Sequence, residues 1–508
     1  MSAARRLAVL VGALLLFRIA SAAFVVFQPG YTDAYYYADV AKRLAAGQGL
    51  TADFIWNFIE ATGPLPVPSH RFWMPLATVL QAIGIKGLPF LDPFHAAQAI
   101  EILIACAIPV VAYRAARSLG ASANGALVAA ALAGLGGAFA PGWVSLDAFA
   151  PAAVIGTVFF LSYRRAAAGD ITAGVVAGLA VGLLFLARAE GAVFGLALLA
   201  LARSPTSRRA GLAGVAIALA IGLGWLARDL ALGSSPDLFA RSALLVRYED
   251  FFAVDVSVGI LGLPAVSWEQ FTFALPTVLA AKAAALGTNL VTFAFAFGLL
   301  LVPGMVRAIW TDRGRPDVRA FAVLAVLVYL VESLVFTLHS THGSYFHSLA
   351  AFFPYGVALG LIGTGELLRS VEGRRLAVVA GIVAAAIVSS FALSQWDSSF
   401  NTPYRERVAV LSQLPAGRVM AIDGAAWRWI ADRPAVVTPA NLDDCAIAYA
   451  ADFDVTTLVL EPAHFTSYDL LYRGLQSLEY VGPPTRVGGI QLYRLDARRA
   501  RDLCRNRL

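Results

Sequence analysis

The chain has 508 residues, of which 59% are hydrophobic and 14% are charged, and its mean hydropathy is +0.71. Soluble proteins carry about a quarter charged residues, so the composition excludes a wholly soluble protein and predicts one that crosses the membrane many times. The formal net charge is +6, but the arginines are dispersed among short loops. This pattern is typical of topology signals and argues against a nucleic-acid partner.

The first apolar run covers residues 7–27 and follows a basic N-terminus. It is longer than the roughly 7–15 residues of a signal-peptide core, and no clear cleavage site of small residues precedes Asp33. We therefore predict a retained signal-anchor helix.

Apolar segments of bilayer length then recur along the chain and predict about 11 transmembrane helices. They fall at residues 7–27, 96–116, 123–141, 148–163, 171–187, 190–203, 210–227, 286–306, 319–338, 348–368 and 375–394. The segments 171–187 and 190–203 are short, which leaves open a tight hairpin or one broken element.

Arginines test this topology because they gather in cytoplasmic loops. They occupy alternate loops, at Arg5/Arg6, Arg114/Arg117, Arg164/Arg165, Arg203/Arg208/Arg209, Arg307/Arg313/Arg315/Arg319 and Arg369/Arg374/Arg375. The pattern places the N-terminus in the cytoplasm and everything after residue 395 outside. The predicted location is the inner (plasma) membrane.

Three outer segments are too long for simple connections, which indicates a functional role. They are the first outer loop, 28–95, the segment 228–285 with Arg241 and Arg247, and the C-terminal part. We predict two domains, a transmembrane domain at 1–395 and an extracytoplasmic α/β domain at 396–508. Within the first loop, Tyr35–Leu44 has its apolar residues on one helical face, which favours a helix along the membrane surface.

The C-terminal part has the pattern of a small α/β domain. Predicted strands are 418–423, 435–438 and 456–460, with helices at 425–431 and 442–451 and a closing hairpin of 478–481 and 490–495. Cys445 and Cys504 both fall here, so a disulfide between them is one option that the sequence leaves open. Cys106 lies in an apolar span and is interpreted as inert core.

Asp33 is the first candidate for chemistry. It follows the first span in Gly30-Tyr31-Thr32-Asp33-Ala34-Tyr35-Tyr36-Tyr37. Tyrosines suit a membrane boundary because their rings are apolar and their hydroxyls reach water. A carboxylate at that depth is costly unless it is used, which favours a functional acid over one that merely ends the span.

Further motifs follow in the same order as in a known family. They are Lys42-Arg43-Leu44-Ala45-Ala46-Gly47, His70-Arg71-Phe72-Trp73-Met74-Pro75-Leu76, Ser145-Leu146-Asp147-Ala148-Phe149 and Trp225-Leu226-Ala227-Arg228-Asp229, the last continuing to Gly233-Ser234. With Asp33 and its tyrosines, this order resembles GT-C-type membrane glycosyltransferases, specifically the dolichyl-phosphate-mannose-protein mannosyltransferase and aminoarabinose-transferase branch. The chain departs from that pattern by having a single proline, Pro75, and His70-Arg71 in place of lysine.

The resemblance implies a polytopic α-helical GT-C-like fold with a small extracytoplasmic α/β domain. It also implies transfer of a sugar from a polyprenyl-phosphate donor to an acceptor hydroxyl at the outer face, by a hexosyl- or pentosyltransferase. Membrane lipids and the lipid-linked donor are the implied partners. The sequence does not identify the acceptor, which is a protein, a lipid or a cell-envelope glycan.

Within this resemblance, Asp33 is the expected general base and Asp147 a second catalytic carboxylate, because an acceptor hydroxyl must lose its proton. The leaving phosphate gathers negative charge, so cations and donors are needed near it. The expected substrate-binding residues are Tyr35, Tyr36, His70, Arg71, Arg228, His342, Tyr345 and His347. We expect Asp33, Asp147, Arg71 and Arg228 to converge on one outward-facing cavity.

Each of these residues also has a purely structural interpretation. Asp147 is well suited to cap the fourth span, His70-Arg71 to anchor the chain at the interface, and Arg228-Asp229 to form a surface ion pair. Arg188 and Glu190 suit a self-satisfied pair in the membrane.

The cluster of His339, His342 and His347 lacks the ligand spacing of a zinc site. No cofactor is required by the sequence, and a divalent metal is compatible with it. The alternatives to a glycosyltransferase are a transporter or lipid flippase and a non-catalytic envelope-assembly scaffold. A transporter is disfavoured because the chain shows no internal repeat.

Overall fold

The computed structural model describes residues 1–58, 63–232, 268–368 and 370–507, and 71% of it is helical. Arg241, Arg247, Gly233-Ser234 and Arg369 lie outside the described residues. The α-helices in chain order are α1 (Ala3–Phe24), α2 (Thr32–Ala45), α3 (Leu76–Gly87), α4 (Pro93–Ala105), α5 (Ile108–Ser118), α6 (Ala123–Leu135), α7 (Phe149–Ala167), α8 (Ile171–Ala187), α9 (Gly195–Arg203), α10 (Arg208–Ala231), α11 (Trp268–Phe273), α12 (Leu275–Phe297), α13 (Val302–Thr311), α14 (Pro316–Leu334), α15 (Thr337–His339), α16 (Tyr345–Leu349), α17 (Phe353–Leu367), α18 (Val371–Trp396), α19 (Thr402–Ala409), α20 (Gly424–Ala431), α21 (Asp444–Ala448), α22 (Asp469–Tyr472) and α23 (Ala497–Arg507).

The strands are short and few. In chain order they are β1 (Thr51–Ala52), β2 (Phe54–Ile55), β3 (Val67–Pro68), β4 (Arg418–Ala421), β5 (Ala435–Val437), β6 (Val455–Leu460), β7 (Val481–Val487) and β8 (Ile490–Leu495). The expected fold class, a polytopic helical membrane protein with a small C-terminal sheet region, is confirmed.

The chain forms two compact units. The first comprises Met1–Phe27, Trp73–Ala231 and Ala281–Asp397, and the second comprises Gln28–Phe72, Leu232–Ala280 and Ser398–Leu508. The sequence led us to expect residues 28–72 in the same domain as the rest of 1–395. In the structure they group with the C-terminal residues instead.

By length and composition, six helical segments among the described residues can cross a membrane: Ala3–Phe24, Pro93–Ser118, Arg208–Ala231, Leu275–Phe297, Thr337–Leu367 and Val371–Gln413. Three shorter apolar helices accompany them, at Leu76–Gly87, Ala123–Leu135 and Ile171–Ala187. The number of about 11 spans, which followed from segment length, stays a prediction.

Helix ends in the first unit follow local capping chemistry. The Asp92 carboxylate accepts hydrogen bonds from the backbone N–H groups of Phe94 and His95, with Pro93 at the first helical position of α4. Side chains of Ser122 and Asp170 cap α6 and α8 in the same way. Such caps satisfy N–H groups that have no partner inside the helix.

Close packing of α8 against α10 depends on glycine. A Cβ at Gly174 would lie 2.2 Å from the carbonyl oxygen of Ala210, and one at Gly178 would lie 2.2 Å from that of Gly214. Small residues let membrane helices approach backbone to backbone.

The short segments 171–187 and 190–203 form a tight hairpin rather than one broken element. Arg188 is extended, at φ −156° and ψ 140°, and a 3₁₀ turn at Ala189–Phe194 leads into α9. Gly191 lies so close to the end of α8 that a Cβ there would come within 2.3 Å of the Leu184 carbonyl carbon.

The predicted span at 286–306 is wrong in position. Helix α12 starts earlier, at Leu275, and ends at Phe297, where Gly298 adopts φ 79°. A left-handed glycine ends a helix readily because it has no Cβ to clash. The apolar residues beyond it belong to a separate helix, α13.

The second unit contains a six-stranded sheet of order β2-β5-β4-β6-β8-β7. Strands β2, β5, β4 and β6 run parallel, whereas β8 is antiparallel to both β6 and β7. Strand β2 comes from the first outer loop, which explains why that segment groups with this unit. The central strands are buried and apolar, as expected for a parallel sheet covered on both faces.

Two expectations for the C-terminal region have definite outcomes. Cys445 and Cys504 form a disulfide that joins α21 to α23. Cys106, which lies in the first unit, is outside any disulfide. The first strand of the closing hairpin is Val481–Val487, so the predicted 478–481 is wrong. The segment contains Pro483 and Pro484, which β7 tolerates because it is an edge strand.

Candidate active site

Asp147 is the central acid of the first unit. It is 1% exposed, and its Oδ1 accepts a hydrogen bond of 2.5 Å from the N–H of Ala148. Helix α7 begins two residues later, at Phe149, and Ala148 occupies the cap position without a side-chain cap. Asp147 is therefore not the cap of the fourth span.

His347 faces this carboxylate. Its Nδ1 lies 3.3 Å from Oδ2 of Asp147, and its ring packs on Phe149 with centroids 4.2 Å apart. The side chain is 15% exposed. The structure thus joins two residues that the sequence separated by 200 positions into an acid–imidazole pair.

A polar network of five residues lies beside this pair. Arg188 contacts Glu190 at 2.9 Å, and the Ser344 hydroxyl lies 3.1 Å from Arg188, 3.1 Å from Glu190 and 3.0 Å from Glu332. Ser348 contacts Glu332 at 3.0 Å. The expected Arg188–Glu190 pair is present. The Ser344 hydroxyl links this pair to a second carboxylate, Glu332, which the sequence pattern did not connect to it.

The two other substrate-binding candidates in this segment, His342 and Tyr345, differ in exposure. His342 is exposed, and its Nδ1 lies 2.9 Å from the carbonyl oxygen of Leu338 in the preceding turn. Tyr345 is 1% exposed and packs edge-to-face on Tyr329, with ring centroids 5.9 Å apart. Tyr345 is therefore packed in the helical core, whereas His342 lies at the surface.

Two buried polar residues near Asp147 were missed by the sequence analysis as site residues. Glu101 and Gln81 are both 0% exposed, and Glu101 interacts electrostatically with Asp147. The sequence signal that could have found Glu101 was its position inside an apolar span, since ionisable groups there are usually functional.

Arg228 forms the ion pair with Asp229 that its sequence suggested, at 2.9 Å. Its guanidinium also lies over the ring of Trp225, 4.5 Å from the centroid, in a cation–π contact. The side chain is 22% exposed, so the pair is partly buried rather than a simple surface pair.

In the second unit, Asp33 lies in the first turn of α2 and is half-buried. Unpaired N–H groups give this end of a helix a partial positive charge, which stabilises a carboxylate. Gly30, at φ 101°, turns the chain towards the start of the helix. The helix expected at 35–44 is confirmed, but Ala34 to Ala41 are all buried, so it does not have the one exposed face of a surface helix.

The position of this turn is fixed by a cluster at the carboxyl ends of β4 and β6. The Thr32 hydroxyl donates to Oδ2 of Asp423 at 3.0 Å, and Arg407 contacts Glu461 at 2.8 Å and Asp423 at 4.0 Å. Trp427 Nε1 donates to Glu461 at 2.6 Å. Burial raises the pKa of Asp423, while Arg407 acts in the opposite direction. The sequence signal was an acid within two residues of the end of each strand, Asp423 after β4 and Glu461 after β6.

Tyr35 is buried in a hydrogen-bonded chain. Its hydroxyl donates to Gln28 Oε1 at 2.7 Å, and Gln28 Nε2 donates to Asn401 Oδ1 at 2.9 Å. Burial raises the pKa of Tyr35. This arrangement gives Tyr35 a structural role, and the substrate contact expected for it stays a prediction.

Tyr36 and His70 form a second buried group. The N–H of His70 donates to the Tyr36 hydroxyl at 2.5 Å, and the His70 ring lies parallel to that of Tyr37, with centroids 6.0 Å apart. His70 is 0% exposed and has φ 60°. A non-glycine residue in this conformation is uncommon and is held by its surroundings. Arg71, the next residue, is half-buried.

The predicted site residues thus fall into two sets. Asp147, Arg228, His342, Tyr345 and His347 belong to the first unit, and Asp33, Tyr35, Tyr36, His70 and Arg71 belong to the second. Within these sets, the structure pairs Asp147 with His347 and Tyr36 with His70. The expected convergence of all four charged residues stays a prediction.

Among the described residues, no group of three or more His, Cys, Asp or Glu side chains is arranged to hold a metal ion. Asp147 and His347 supply two ligand types, but zinc sites use at least three protein ligands. The polar network beside them is already occupied by a guanidinium.

Comparison with solved structures identifies the fold. ArnT from Cupriavidus metallidurans bound to undecaprenyl phosphate matches 96% of this chain and 97% of its own, with a TM-score of 0.58 and 15% identity. The oligosaccharyltransferase AglB from Archaeoglobus fulgidus, in complex with an inhibitory peptide and a dolichol-phosphate, matches 90% of this chain and 69% of its own, with a TM-score of 0.57 and 14% identity.

No protein-family model matches the chain, and no curated protein matches it either. The likeness at low identity concerns the fold, which is that of GT-C membrane glycosyltransferases, and the expectation of a GT-C-type architecture is confirmed.

Proposed function

We propose that the protein is an integral-membrane glycosyltransferase that moves a sugar from a polyprenyl-phosphate donor to an acceptor hydroxyl at the outer face of the membrane. The observation that carries this proposal is the match with ArnT over nearly the full length of both chains. Both fold neighbours were solved with a lipid phosphate, which is undecaprenyl phosphate in ArnT and a dolichol-phosphate in AglB.

In the proposed reaction, Asp33 accepts the proton of the acceptor hydroxyl while the acceptor oxygen bonds to the anomeric carbon of the sugar. The bond from that carbon to the phosphate oxygen breaks, and the lipid phosphate leaves with the electron pair. Asp33 suits the role because it is half-buried at a helix N-terminus and ionised carboxylates are stabilised there.

The departing phosphate needs positive charge near it. Arg71 and Arg228 are the candidates, and Arg228 is held in place by Asp229 and Trp225. Asp147 is the second carboxylate. The proposal includes no metal-dependent step and leaves the sugar as a hexose or pentose.

We propose that the protein lies in the inner membrane and acts on its outer side. Two features support this sidedness. Arginines lie in alternate loops, so the positive-inside rule places the N-terminus in the cytoplasm and residues after 395 outside. The second unit carries the Cys445–Cys504 disulfide, which forms in oxidising compartments.

Asp33→Asn tests the proposal, since it keeps the shape of the side chain and removes the base. We expect transfer from a panel of radiolabelled polyprenyl-phosphate sugars to fall about 10²- to 10⁴-fold while the unfolding midpoint stays unchanged. Asp170→Asn is the matched control, because Asp170 also starts a helix and Asn caps equally well. Full transfer by Asp33→Asn contradicts Asp33 as the base, and lipid translocation without any transfer contradicts the enzyme.

A further inference from the structure

The two oxygens of the Asp147 carboxylate have different partners. Oδ1 accepts the Ala148 N–H at 2.5 Å, and Oδ2 faces His347 Nδ1 at 3.3 Å. A carboxylate held at both oxygens has a fixed plane, and enzymes gain rate when catalytic groups are fixed before the reaction. The pair is therefore arranged to orient Asp147.

We propose that His347 is a positioning residue that orients Asp147 through an Nδ1–H hydrogen bond to Oδ2. This inference rests on the proposed function, in which Asp147 is a catalytic carboxylate. It differs from the phosphate contact expected from the sequence, because the Nδ1 atom lies 3.3 Å from Asp147 Oδ2.

The backbone that carries His347 is itself held. Helix α16 follows a π-helical turn, Ser340–Ser344, in which Gly343 has φ 126°. Ser344 and Ser348, one helical turn apart, both bond to Glu332, at 3.0 Å each. The π turn would otherwise be free to shift, since such turns interrupt the regular helix.

Arg188 and Glu190 complete this support from the turn between α8 and α9. Two separate segments of the first unit, α14 and this turn, thus hold Ser344 and Ser348 on either side of His347. Phe149 closes the remaining face by packing on the imidazole. The ring is consequently directed at Asp147 by contacts that do not involve Asp147 itself.

The charged groups around the pair define its electrostatics. Asp147, Arg188 and Glu190 act on His347, and Asp147 also acts on Glu101. In a neutral imidazole that donates from Nδ1, Nε2 is an acceptor. A hydrogen bond from His347 to Asp147 therefore needs a proton on Nδ1, which this tautomer and the imidazolium both carry.

Two substitutions separate positioning from packing. His347→Phe keeps an aromatic ring on Phe149 and removes the donor, whereas His347→Asn places an amide N–H near the Nδ1 position. We expect His347→Phe to lower kcat on the order of 100-fold with KM changed less than about threefold, and His347→Asn to recover most of the loss. His95→Phe is the control, because His95 pairs with Asp92 on the exposed surface of the same unit.

A double-mutant cycle tests the pair without an activity assay. Interacting residues show non-additive effects, so His347→Phe should shift the unfolding midpoint less in an Asp147→Asn background than in the wild type. Equal shifts in both backgrounds overturn the inference.

The outcomes also separate the inference from the proposed function. Wild-type kcat and KM in His347→Phe, in a protein whose Asp33→Asn variant has lost transfer, overturn the role of His347 alone. A wild-type protein that transfers no sugar from any donor overturns the proposed function and, with it, the catalytic meaning of the pair.

Discussion

Each unit of the molecule places one arginine between two carboxylates, but the two clusters are built differently. In the first unit, Arg188 meets Glu190, and Glu332 is joined to both through serine hydroxyls. In the second unit, Arg407 meets Glu461 and Asp423 directly, at the carboxyl ends of two parallel strands.

The difference lies in what each cluster positions. The serines of the first cluster belong to the segment that carries His347, whereas Asp423 of the second cluster bonds to Thr32, the residue before Asp33. Each cluster thus contacts a residue next to a candidate acid or the segment that carries its partner. Only the Arg188–Glu190 pair was recognisable from local spacing, because the other members of the two clusters are far apart in the chain.

Removing the shared cation of the second cluster should have the largest effect on stability. Arg407→Met leaves Asp423 and Glu461 buried without their main counter-charge, which costs about 3–5 kcal/mol for a buried pair. Chemical unfolding of the purified protein measures this loss. Arg499→Met, which removes an exposed partner of Glu479, is the control and should leave stability unchanged. A loss no greater than in the control would show that the cluster does not hold the strand ends.

Removing the arginine of the first cluster should lower the free energy of unfolding by a smaller amount. After Arg188→Met, the hydroxyls of Ser344 and Ser348 still bond to Glu332, so we expect a loss of about 2 kcal/mol, as for one hydrogen bond to a charged group. Arg165→Met, at an exposed pair with Asp170, is the control and should leave stability nearly unchanged, because exposed ion pairs contribute little. If Arg188→Met proves as costly as Arg407→Met, the serines contribute nothing and the contrast between the clusters disappears.

The smallest effect is a pH dependence in the second unit. Burial raises the pKa of Asp39, with Arg428 opposing it. A carboxyl with a raised pKa is favourable to folding while protonated, and that contribution is lost as the pH rises through its folded pKa. We therefore expect Asp39→Asn to stabilise the protein at neutral pH and to lose this advantage in acid, as measured by unfolding at both pH values.

Asp432 provides a control of opposite sign. A hydrogen bond from Arg428 lowers its pKa, so its contribution is present at neutral pH and is lost as the pH falls. Asp432→Asn should destabilise the protein at neutral pH and not in acid, and Asn also tolerates the positive φ of 49° at this position. The same pH response in both variants would contradict this account.

Several features were predictable from the sequence because their signals are local. Apolar runs and the β-branched segments around residues 418, 435 and 456 indicated helices and strands that the structure contains. Errors occurred where one residue overrides a pattern. Gly298 ends a helix inside a continuous apolar run, and edge-strand prolines conceal β7.

The site was only partly accessible in this way. Asp33 and Asp147 were selected as acids next to apolar spans, and His347 as one of a group of histidines. Their partners were not predictable, since the contacts of Asp147 with His347 and of Thr32 with Asp423 join residues about 200 or more positions apart.

The sequence by itself determined the membrane character, the sidedness expected from arginine and the chemical types available at the boundary. These follow from hydropathy, charge and residue type, which need no knowledge of neighbours. The tertiary structure alone decided that β2 of the first loop joins the C-terminal sheet, that two cysteines pair, and that Asp147 lies beside His347. The physical reason is that such contacts depend on the packing of distant segments, and hydrogen bonds form only between groups that packing brings within about 3 Å.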